Sequence, residues 1–295
     1  MFRVRRLLAP FVLCIALLFS EAQAFTIAWL SDTQNYHNAY KPIFDGMTQW
    51  IADNRAALDI RFVFHTGDVV GSWSSEDQWR QARESMGILS NASIPFLAAC
   101  GNHDIGYRMN YANFLKYVLS LRPASMSQEY GDTGSRYELF SANGRDYIFM
   151  GIAFSNKGPS EDEVNWINGV LRQYSSRDAI IITHSYLKKS ASYTTQGKAI
   201  FEKIVKANPN VFLVLCGHCR DISEKSVQLD DDGDGNPDRT VYAILSNFQG
   251  GKAGGGGYMR ILDFRDSDIY IYTYSPYYDS CEYPKGKTEA TVPLP

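Results

Sequence analysis

Five short polar motifs follow five short apolar runs along this chain, and this pattern limits what the chain can fold into more than any other feature. The runs are rich in β-branched and aromatic residues, which is typical of buried strands. Polar side chains at the ends of neighbouring strands meet at one edge of a sheet, where α/β folds place ligands. In chain order the motifs are Asp32-Thr33-Gln34, Gly67-Asp68, Gly101-Asn102-His103-Asp104, Thr183-His184 and Gly217-His218.

The spacing of the apolar residues predicts the remaining architecture. Helical spacing occurs over 44–58, 76–89 and 161–174, and short strand patterns dominate from residue 227 onward. Because we find no repeat and no long linker, we expect residues 25–295 to form one domain. The simplest arrangement is an α+β fold of four layers (α/β/β/α), with two mixed β-sheets packed together and flanked by helices.

Residues 1–24 are typical of a secretory signal peptide. A basic start with Arg3, Arg5 and Arg6 precedes the apolar stretch 7–19, and small residues follow at the cleavage position. A membrane anchor is the alternative, but a spanning helix needs ~20 apolar residues and this stretch is shorter. We therefore expect a periplasmic or secreted protein with no membrane span after cleavage.

The charge of the chain gives no case for a polyanionic partner. The formal net charge is −3, so neither nucleic acid nor an anionic membrane surface is expected to bind. An anionic small molecule would have to be attracted locally, by a metal ion or by an arginine. The oligomeric state is not predicted.

The polar motifs together form a set of metal ligands. Asp, Asn and His side chains bind divalent cations, and one additional His could transfer a proton. A glycine before a ligand lets the backbone turn tightly and approach the ion. Two metal ions ~3.5–4 Å apart can neutralise a phosphate ester, acidify a water molecule and hold the reacting groups in line.

The order of the five motifs resembles that of the calcineurin-like metallophosphoesterases, over about residues 25–274. The segment Gly101–Asp104 is the most specific part of this resemblance. The opening Ser31–Gln34 is similar to a bacterial branch of the family, in which Gln replaces the usual first His. The glycine-rich stretch before Tyr258 and the run 273–276 are similar to the same branch.

The resemblance implies which residues bind metal. Asp68 would bridge two metal ions, and the second site would be completed by an amide and two imidazoles. Asp32 would bind the first metal, with Gln34 as a weak oxygen ligand. The implied metal ligands are Asp32, Gln34, Asp68, Asn102, His184 and His218.

The resemblance also implies two catalytic residues, and a departure from the family pattern offers Arg220 as a third. His103 would stabilise the transition state or protonate the leaving oxygen, and Asp104 would orient His103. The family's usual Gly-His-x-His ending has Arg220 in place of the second His, so the first metal site lacks both of its imidazoles. Either an oxygen-preferring ion such as manganese or magnesium still binds there, or the Arg220 guanidinium supplies the second positive charge to the phosphate.

These expectations predict a secreted or periplasmic phosphoesterase that depends on one or two divalent ions, either manganese, iron or zinc. A metal-activated hydroxide would attack the phosphorus of a small-molecule mono- or diester. The main alternative is a degenerate member of the same fold that acts as a non-catalytic binding protein, because Gln34 and Arg220 weaken the first metal site.

Four cysteines remain after the predicted cleavage, and in an oxidising compartment they allow three complete pairings. A disulfide that involves Cys219, with Cys281 as a candidate partner, is the simplest expectation. The string from Cys216 to Cys219 is similar to the redox motif of thioredoxin-type enzymes. No strong helix follows it to lower a thiol pKa, so a thiol oxidoreductase is disfavoured.

An acidic run near residue 230 has the spacing of a calcium loop. Its carboxylates occupy positions one, three, five and nine, with glycine at position six. No Glu follows at position twelve, so a solvated acidic turn at a hairpin tip is the alternative. The predicted calcium ligands are Asp230, Asp232, Asp234 and Asp238.

Overall fold

The computed structural model describes residues 24–122, 128–283 and 289–295. The predicted signal peptide lies outside these residues, apart from Ala24, and stays a prediction. Within the described segments no helix combines the length and the apolar character that a membrane crossing requires.

A strand forms at each of the five apolar runs, and further strands form elsewhere in the described chain. Their order along the chain is β1 (Phe25–Leu30), β2 (Ile60–His65), β3 (Phe96–Ala98), β4 (Gln128–Tyr130), β5 (Ser135–Ala142), β6 (Arg145–Ile152), β7 (Asp178–Thr183), β8 (Val211–Cys216), β9 (Asp221–Leu229), β10 (Arg239–Asn247), β11 (Met259–Phe264), β12 (Asp268–Tyr274) and β13 (Glu289–Pro293). The turn between β5 and β6 is formed by Asn143 and Gly144, both with positive φ, as their sequence predicts.

Helices connect the parallel strands. They are α1 (Lys41–Asp53), α2 (Glu76–Asn91), α3 (Asn102–Ile105), α4 (Ala112–Tyr117), α5 (Glu161–Gln173) and α6 (Thr195–Ile200), the last of which continues as a π-helical turn over Phe201–Val205. The hydroxyls of Ser75 and Ser160 accept backbone N–H groups at the starts of α2 and α5, which are the caps that the sequence predicts.

The strands of the described residues pair into two mixed sheets. One sheet has the order β13-β12-β11-β1-β2-β3, and the other has the order β4-β5-β6-β7-β8-β10-β9. Parallel pairing joins β1 to β2 and β2 to β3 in the first sheet, and β6 to β7, β7 to β8 and β8 to β10 in the second. The ends of β1, β2 and β3 therefore share one edge of the first sheet, and the ends of β7 and β8 share one edge of the second.

Three apolar clusters define the layers. The cluster between the sheets joins residues such as Trp29 and Phe64 to Phe149 and Leu213. A second cluster packs α1 and α2 against the outer face of the first sheet. A third packs α5 and α6 against the outer face of the second sheet. The predicted α+β fold of four layers is therefore confirmed.

The structure differs from the sequence-based elements at several of their ends, and β4 forms in a segment for which the sequence predicts no strand. The apolar spacing predicts a helix from residue 198, but α6 begins at Thr195 because Thr194 Oγ1 accepts the Gly197 N–H at 3.0 Å and caps the helix. The sequence predicts a strand from residue 226, but β9 begins at Asp221 because it pairs with β10 along its whole length. Pairing of this kind stabilises a polar strand that has little apolar pattern of its own.

The expected disulfide is wrong for this structure, in which the four described cysteines are free thiols. Cys100 and Cys216 are buried in the apolar clusters, while Cys281 is exposed. Burial raises the pKa of Cys216 to about 12. A thiol with so high a pKa carries almost no thiolate near neutral pH, which argues against redox catalysis by this motif.

Candidate metal centre

The two sheets bring their motif-bearing edges together at one place in the fold. Asp32 follows β1 and Asp68 lies three residues beyond β2, while Asn102 follows β3. From the second sheet, His184 follows β7 and His218 lies two residues after β8. Hydrogen-bond distances join residues of these motifs across 82 to 186 residues of sequence, so the predicted convergence of the five loops is observed.

His184 is at the centre of this cluster and is fully buried. Its Nε2 lies 3.1 Å from Asn102 Oδ1, 3.3 Å from Asp68 Oδ2 and 3.2 Å from His218 Nδ1. Asp68, His184 and His218 each offer one ligand atom, and these three atoms lie within 4.8 Å of one another. The four side chains therefore surround a volume of the size that a single cation occupies.

The donor set of this cluster suits a cation. His184 Nδ1 lies 2.8 Å from the Thr66 carbonyl oxygen, which can only accept, so this nitrogen carries the ring proton. In the neutral imidazole, Nε2 then presents a lone pair to the oxygens of Asn102 and Asp68. Acceptors that face one another repel unless a proton or a cation lies between them. A divalent metal ion satisfies all of them together.

The pKa values of the two imidazoles reflect this crowding. Burial opposes the charge on His184, but the Asp68 carboxylate is close enough to raise the pKa of His184 to about 9. Burial and the charge of His184 lower the pKa of His218 to about 4. In the metal-free protein a proton on His184 takes the place that a cation would fill, whereas His218 stays neutral and able to bind metal.

The first metal site contains fewer donors. Both oxygens of Asp32 accept the backbone N–H of His218 at 3.2 Å, and Ser31 Oγ donates to Oδ2. Gln34 Nε2 donates to Asp68 Oδ2 at 3.1 Å, while Gln34 Oε1 is buried and has no hydrogen-bond partner among the described residues. A buried oxygen without a partner is rare and is satisfied by a cation or a water molecule. This oxygen therefore fits the weak ligand predicted at position 34.

The backbone at the site is strained, and two glycines give the ligands room. Asp32, Asp68 and His218 have φ values of 51°, 55° and 70°, a region that few residues other than glycine adopt. A Cβ on Gly101 would lie 2.1 Å from Asp68 Oδ1, and one on Gly217 would lie 2.3 Å from Asp32 Oδ2. No larger residue fits either position without moving a carboxylate, which explains the glycines of these two motifs.

His103 lies at the exposed side of the cluster, as a proton-transfer residue should. Its backbone N–H donates to Asp68 Oδ1 at 2.8 Å, and its ring Nδ1 donates to the Gly71 carbonyl oxygen at 2.9 Å. The bond to Gly71 fixes the proton on Nδ1 and leaves Nε2 able to accept or deliver a proton. The position is suitable for the predicted role, which stays a prediction.

The predicted orienting role of Asp104 is wrong. Its Oδ1 accepts the N–H groups of Val69 and Val70 at 2.8 and 3.1 Å, and its Oδ2 accepts the N–H of Gly101 at 2.8 Å. The carboxylate is fully buried and ties the loop that follows Asp68 to the loop of Gly101. Asp104 is therefore a positioning residue for the backbone of the site, and a backbone carbonyl orients His103 in its place.

Arg220 is exposed, and its Cδ lies 3.5 Å from the position that a Cβ on Gly250 would occupy. Across residues 24–122, 128–283 and 289–295, no hydrogen bond or ion pair connects it to the metal-site side chains. Its contribution of charge to a bound phosphate therefore stays a prediction.

Three contributors to the site have no motif of their own in the sequence. The Thr66 carbonyl fixes the His184 tautomer, and Asn247 Nδ2 donates to the His218 carbonyl at 3.0 Å. The ring of Phe154 packs against both metal-site imidazoles. Thr66 is adjacent to the Gly-Asp motif, but a backbone carbonyl leaves no side-chain signal. Asn247 is the last residue of β10 and Phe154 follows β6, and neither belongs to one of the five polar motifs.

The acidic run forms the exposed tip between β9 and β10, as predicted. The carboxylates of Asp230, Asp232 and Asp238 each bring one oxygen within 4.8 Å of the others. Asp234 is outside this group, and its Oδ1 accepts the Asn236 N–H at 2.7 Å. Calcium binding at this tip stays a prediction.

The family model for calcineurin-like phosphoesterases matches residues 25–219, and this chain belongs to that family, which confirms the predicted family.

Solved structures with the same fold include a dimetal phosphatase from Danio rerio. It has a TM-score of 0.60 and 12% identity over 91% of this chain and 98% of the other. A purple acid phosphatase, PPD1, from yellow lupin seeds has a TM-score of 0.56 and 13% identity over 92% of this chain and 54% of the other. Another match is described as GAP50, the anchor in the inner membrane complex of Plasmodium, with a TM-score of 0.59 and 13% identity over 92% of this chain and 89% of that one. At these identities the likeness shows the fold alone.

A curated relative in sequence is the protein YvnB of Bacillus subtilis (strain 168), which is described as uncharacterized. It is 41% identical over 259 residues, which is 86% of this chain. The match covers 20% of that relative, so this chain spans about a fifth of its length.

Proposed function

We propose that this protein is a metal-dependent phosphoesterase that acts outside the cytoplasm on a small-molecule phosphate mono- or diester. The observation that carries this proposal is the convergence of Asp68, Asn102, His184 and His218 on one cation-sized volume. When bound, a divalent metal would neutralise the phosphate and acidify a water molecule. Manganese, iron and zinc all accept this mixed set of carboxylate, amide and imidazole ligands.

The residues of the chain have separate tasks in such a reaction. His184 and His218 provide imidazole ligands, and Asp68 lies between the two predicted sites. Asp32 and Gln34 provide the oxygens of the first site. His103 Nε2, on the exposed side, is the group proposed to protonate the leaving oxygen.

The experiment is a hydrolysis assay on generic aryl phosphate mono- and diesters with chelator-treated protein to which manganese, iron or zinc is returned singly. We expect turnover with at least one ion and its loss in Asn102→Ala. Absence of turnover with every ion and both ester classes would contradict the proposal. Fractionation of cells that express the full chain, with detection of the mature N-terminus, tests the proposed export and cleavage after residue 24.

A non-catalytic binding protein is the second candidate, and two observations favour it. The first site has one carboxylate of its own, Asp32, which is already engaged by Ser31 and His218, and Arg220 is exposed where the family has an imidazole ligand. The same fold also occurs in the Plasmodium protein described as an anchor. Stable metal content without turnover would favour this candidate.

A further inference from the structure

A cavity formed in part by the segment 248–257 is lined by tyrosines that no part of the proposed reaction uses. Its volume is ≈ 580 Å³, which lies within the range of small-molecule sites. The walls are formed by Tyr258, Tyr278 and Tyr283 together with Lys252 and glycines of the segment 248–257, which we call the glycine loop.

The glycine loop is attached directly to the metal-binding motifs. Gln249 N donates to Asn247 Oδ1, and the Asn247 amide donates to the His218 carbonyl, both at 3.0 Å. On the other side, Asn35 Nδ2 donates to the Gln249 carbonyl at 3.4 Å, one residue after the predicted ligand Gln34. The same loop thus borders the metal centre and forms a wall of the cavity.

The loop has a conformation that only glycine adopts easily, and the aromatic rings require it. Residues 254–257 are four consecutive glycines with φ between 65° and 123°. A Cβ on Gly256 would lie 2.3 Å from the Tyr278 ring, and one on Gly255 would lie 2.7 Å from Tyr36 Oη. The Gly257 N–H donates to the same Tyr36 hydroxyl at 2.9 Å. The loop is therefore held in a fixed position against the tyrosines.

The tyrosine rings are arranged at angles to one another. The Tyr258 ring lies 5.8 Å from Tyr278 at 41° and 5.1 Å from Tyr283 at 76°. Tyr278 is 45% exposed, although Tyr258 is buried. A planar aromatic ring that enters the cavity can stack on one tyrosine and meet another edge to face, and these are the two geometries that aromatic pairs prefer.

We propose that this cavity binds an aromatic ring in the alcohol part of the phosphate ester, so that the substrate class is an ester of a ring-bearing alcohol. This inference rests on the proposed phosphoesterase function, because the phosphate would bind at the metal centre while the ring occupies the cavity. Access to the cavity depends on the exposure of its three tyrosines, and Tyr278 is the most exposed of them. We therefore assign Tyr278 as the residue that determines specificity.

The test compares esters whose leaving groups have the same chemistry but different ring types. The substrates are 2-phenylethyl phosphate, 2-cyclohexylethyl phosphate and ethyl phosphate, with the metal-loaded full-length protein. Because stacking on an aromatic side chain favours a flat ring, we expect kcat/KM for the phenyl ester to exceed that for the cyclohexyl ester by about tenfold. Tyr278→Leu should reduce this ratio to about one.

Two further variants serve as controls. Tyr278→Phe retains the ring and should retain the preference. Tyr40→Leu replaces a tyrosine of the same 45% exposure outside the cavity lining and should leave the ratio unchanged. Loss of the ratio in Tyr40→Leu, or its persistence in Tyr278→Leu, would overturn the inference.

A binding measurement separates this inference from the proposed function. Calorimetry with the non-hydrolysable 2-phenylethylphosphonate and 2-cyclohexylethylphosphonate needs no turnover. Tighter binding of the phenyl compound that depends on Tyr278 supports the cavity assignment even if no ester is hydrolysed. Hydrolysis of ethyl phosphate without any phenyl preference, in rate or in binding, overturns the cavity assignment and leaves the phosphoesterase proposal intact.

Discussion

The metal centre and the acidic hairpin tip both place several metal-ligand side chains within 4.8 Å of one another, yet they are different kinds of structure. At the centre the ligands come from loops far apart in sequence, and Asp68 and His184 are almost completely buried. At the tip Asp230, Asp232 and Asp238 come from nine consecutive residues and are exposed.

The two regions also differ in what satisfies their polar atoms. Asp230 and Asp238 accept backbone N–H groups of their own loop, and water is available for the rest. At the centre, acceptors face other acceptors, and within the described part of the chain Gln34 Oε1 has no hydrogen-bond partner. Burial makes such an arrangement costly unless a cation is present. We therefore expect a strong metal site to require ligand side chains that converge where water cannot reach them. Acidic composition alone is also found in a solvated acidic turn.

The largest expected effect is at Asp68. Asn has nearly the same shape and tolerates a positive φ, so Asp68→Asn removes the charge and leaves the backbone in place. Mutation of a residue that only hydrogen-bonds to a metal ligand lowers metal affinity or activity by about 10- to 100-fold. We therefore expect removal of the charge of the ligand itself to lower turnover by more than about 100-fold. Elemental analysis should show that bound metal falls in parallel. The matched variant at the tip, Asp230→Asn, should keep the metal of the centre and the turnover, and equal losses in both variants would contradict the distinction.

A smaller loss of turnover is expected when a ligand is kept but displaced. Gly101→Ala places a methyl group 2.1 Å from the original position of Asp68 Oδ1, so the carboxylate has to move. We expect turnover to fall by about 10- to 100-fold, since small misplacements at a reacting centre have effects of this size. Gly169 of α5 has open space around it, and Gly169→Ala should keep full turnover and stabilise the fold by about 0.5–1 kcal/mol. Unfolding curves of both variants separate displacement from loss of fold.

The next prediction concerns stability. The buried Asp104 carboxylate accepts three backbone N–H groups. In Asp104→Asn one of the two carboxylate oxygens becomes an NH₂ group, which then faces a backbone N–H donor and cannot accept it. We expect the free energy of unfolding to fall by about 1–3 kcal/mol. Asp238 accepts two backbone N–H groups in an exposed position, so Asp238→Asn should cost well under about 1 kcal/mol because water replaces the lost bonds. Urea unfolding of the two variants measures both values, and a larger cost at Asp238 would contradict the comparison.

The smallest effect is expected from calcium. If the tip binds this ion, its exposure and its lack of a twelfth-position Glu predict a Kd of about 10⁻⁴–10⁻³ M, as in weak extracellular sites. Millimolar calcium should then raise Tm slightly in the wild type but not in Asp230→Asn, with turnover unchanged in both. An equal response of the two proteins would assign the tip to the solvated acidic turn.

Much of this fold follows from patterns that a sequence displays directly. Short β-branched runs such as Ile60–His65 form strands, and each polar motif lies just after its strand, so the meeting of His184 with Asp68 was predictable. The caps of α2 and α5 and the turn at Asn143 follow from local chemistry in the same way.

What the sequence does not determine depends on contacts between loops. Asp104 lies beside His103 in the chain, but its carboxylate faces the backbone of Val69 and Val70, because that loop is folded over it. The Thr66 carbonyl fixes a ring 118 residues away without any side-chain signal. The tyrosines of the cavity come from two segments, one before β11 and one after β12, that only the fold brings together.

The proposed function requires a cation between the loops of the two sheets, and anomalous diffraction from a crystal soaked in Mn²⁺ tests this requirement most directly. We predict a strong peak within bonding distance of Asp68 Oδ2, His184 Nε2 and His218 Nδ1. A peak only at the hairpin tip, with none between these three atoms, would contradict the account.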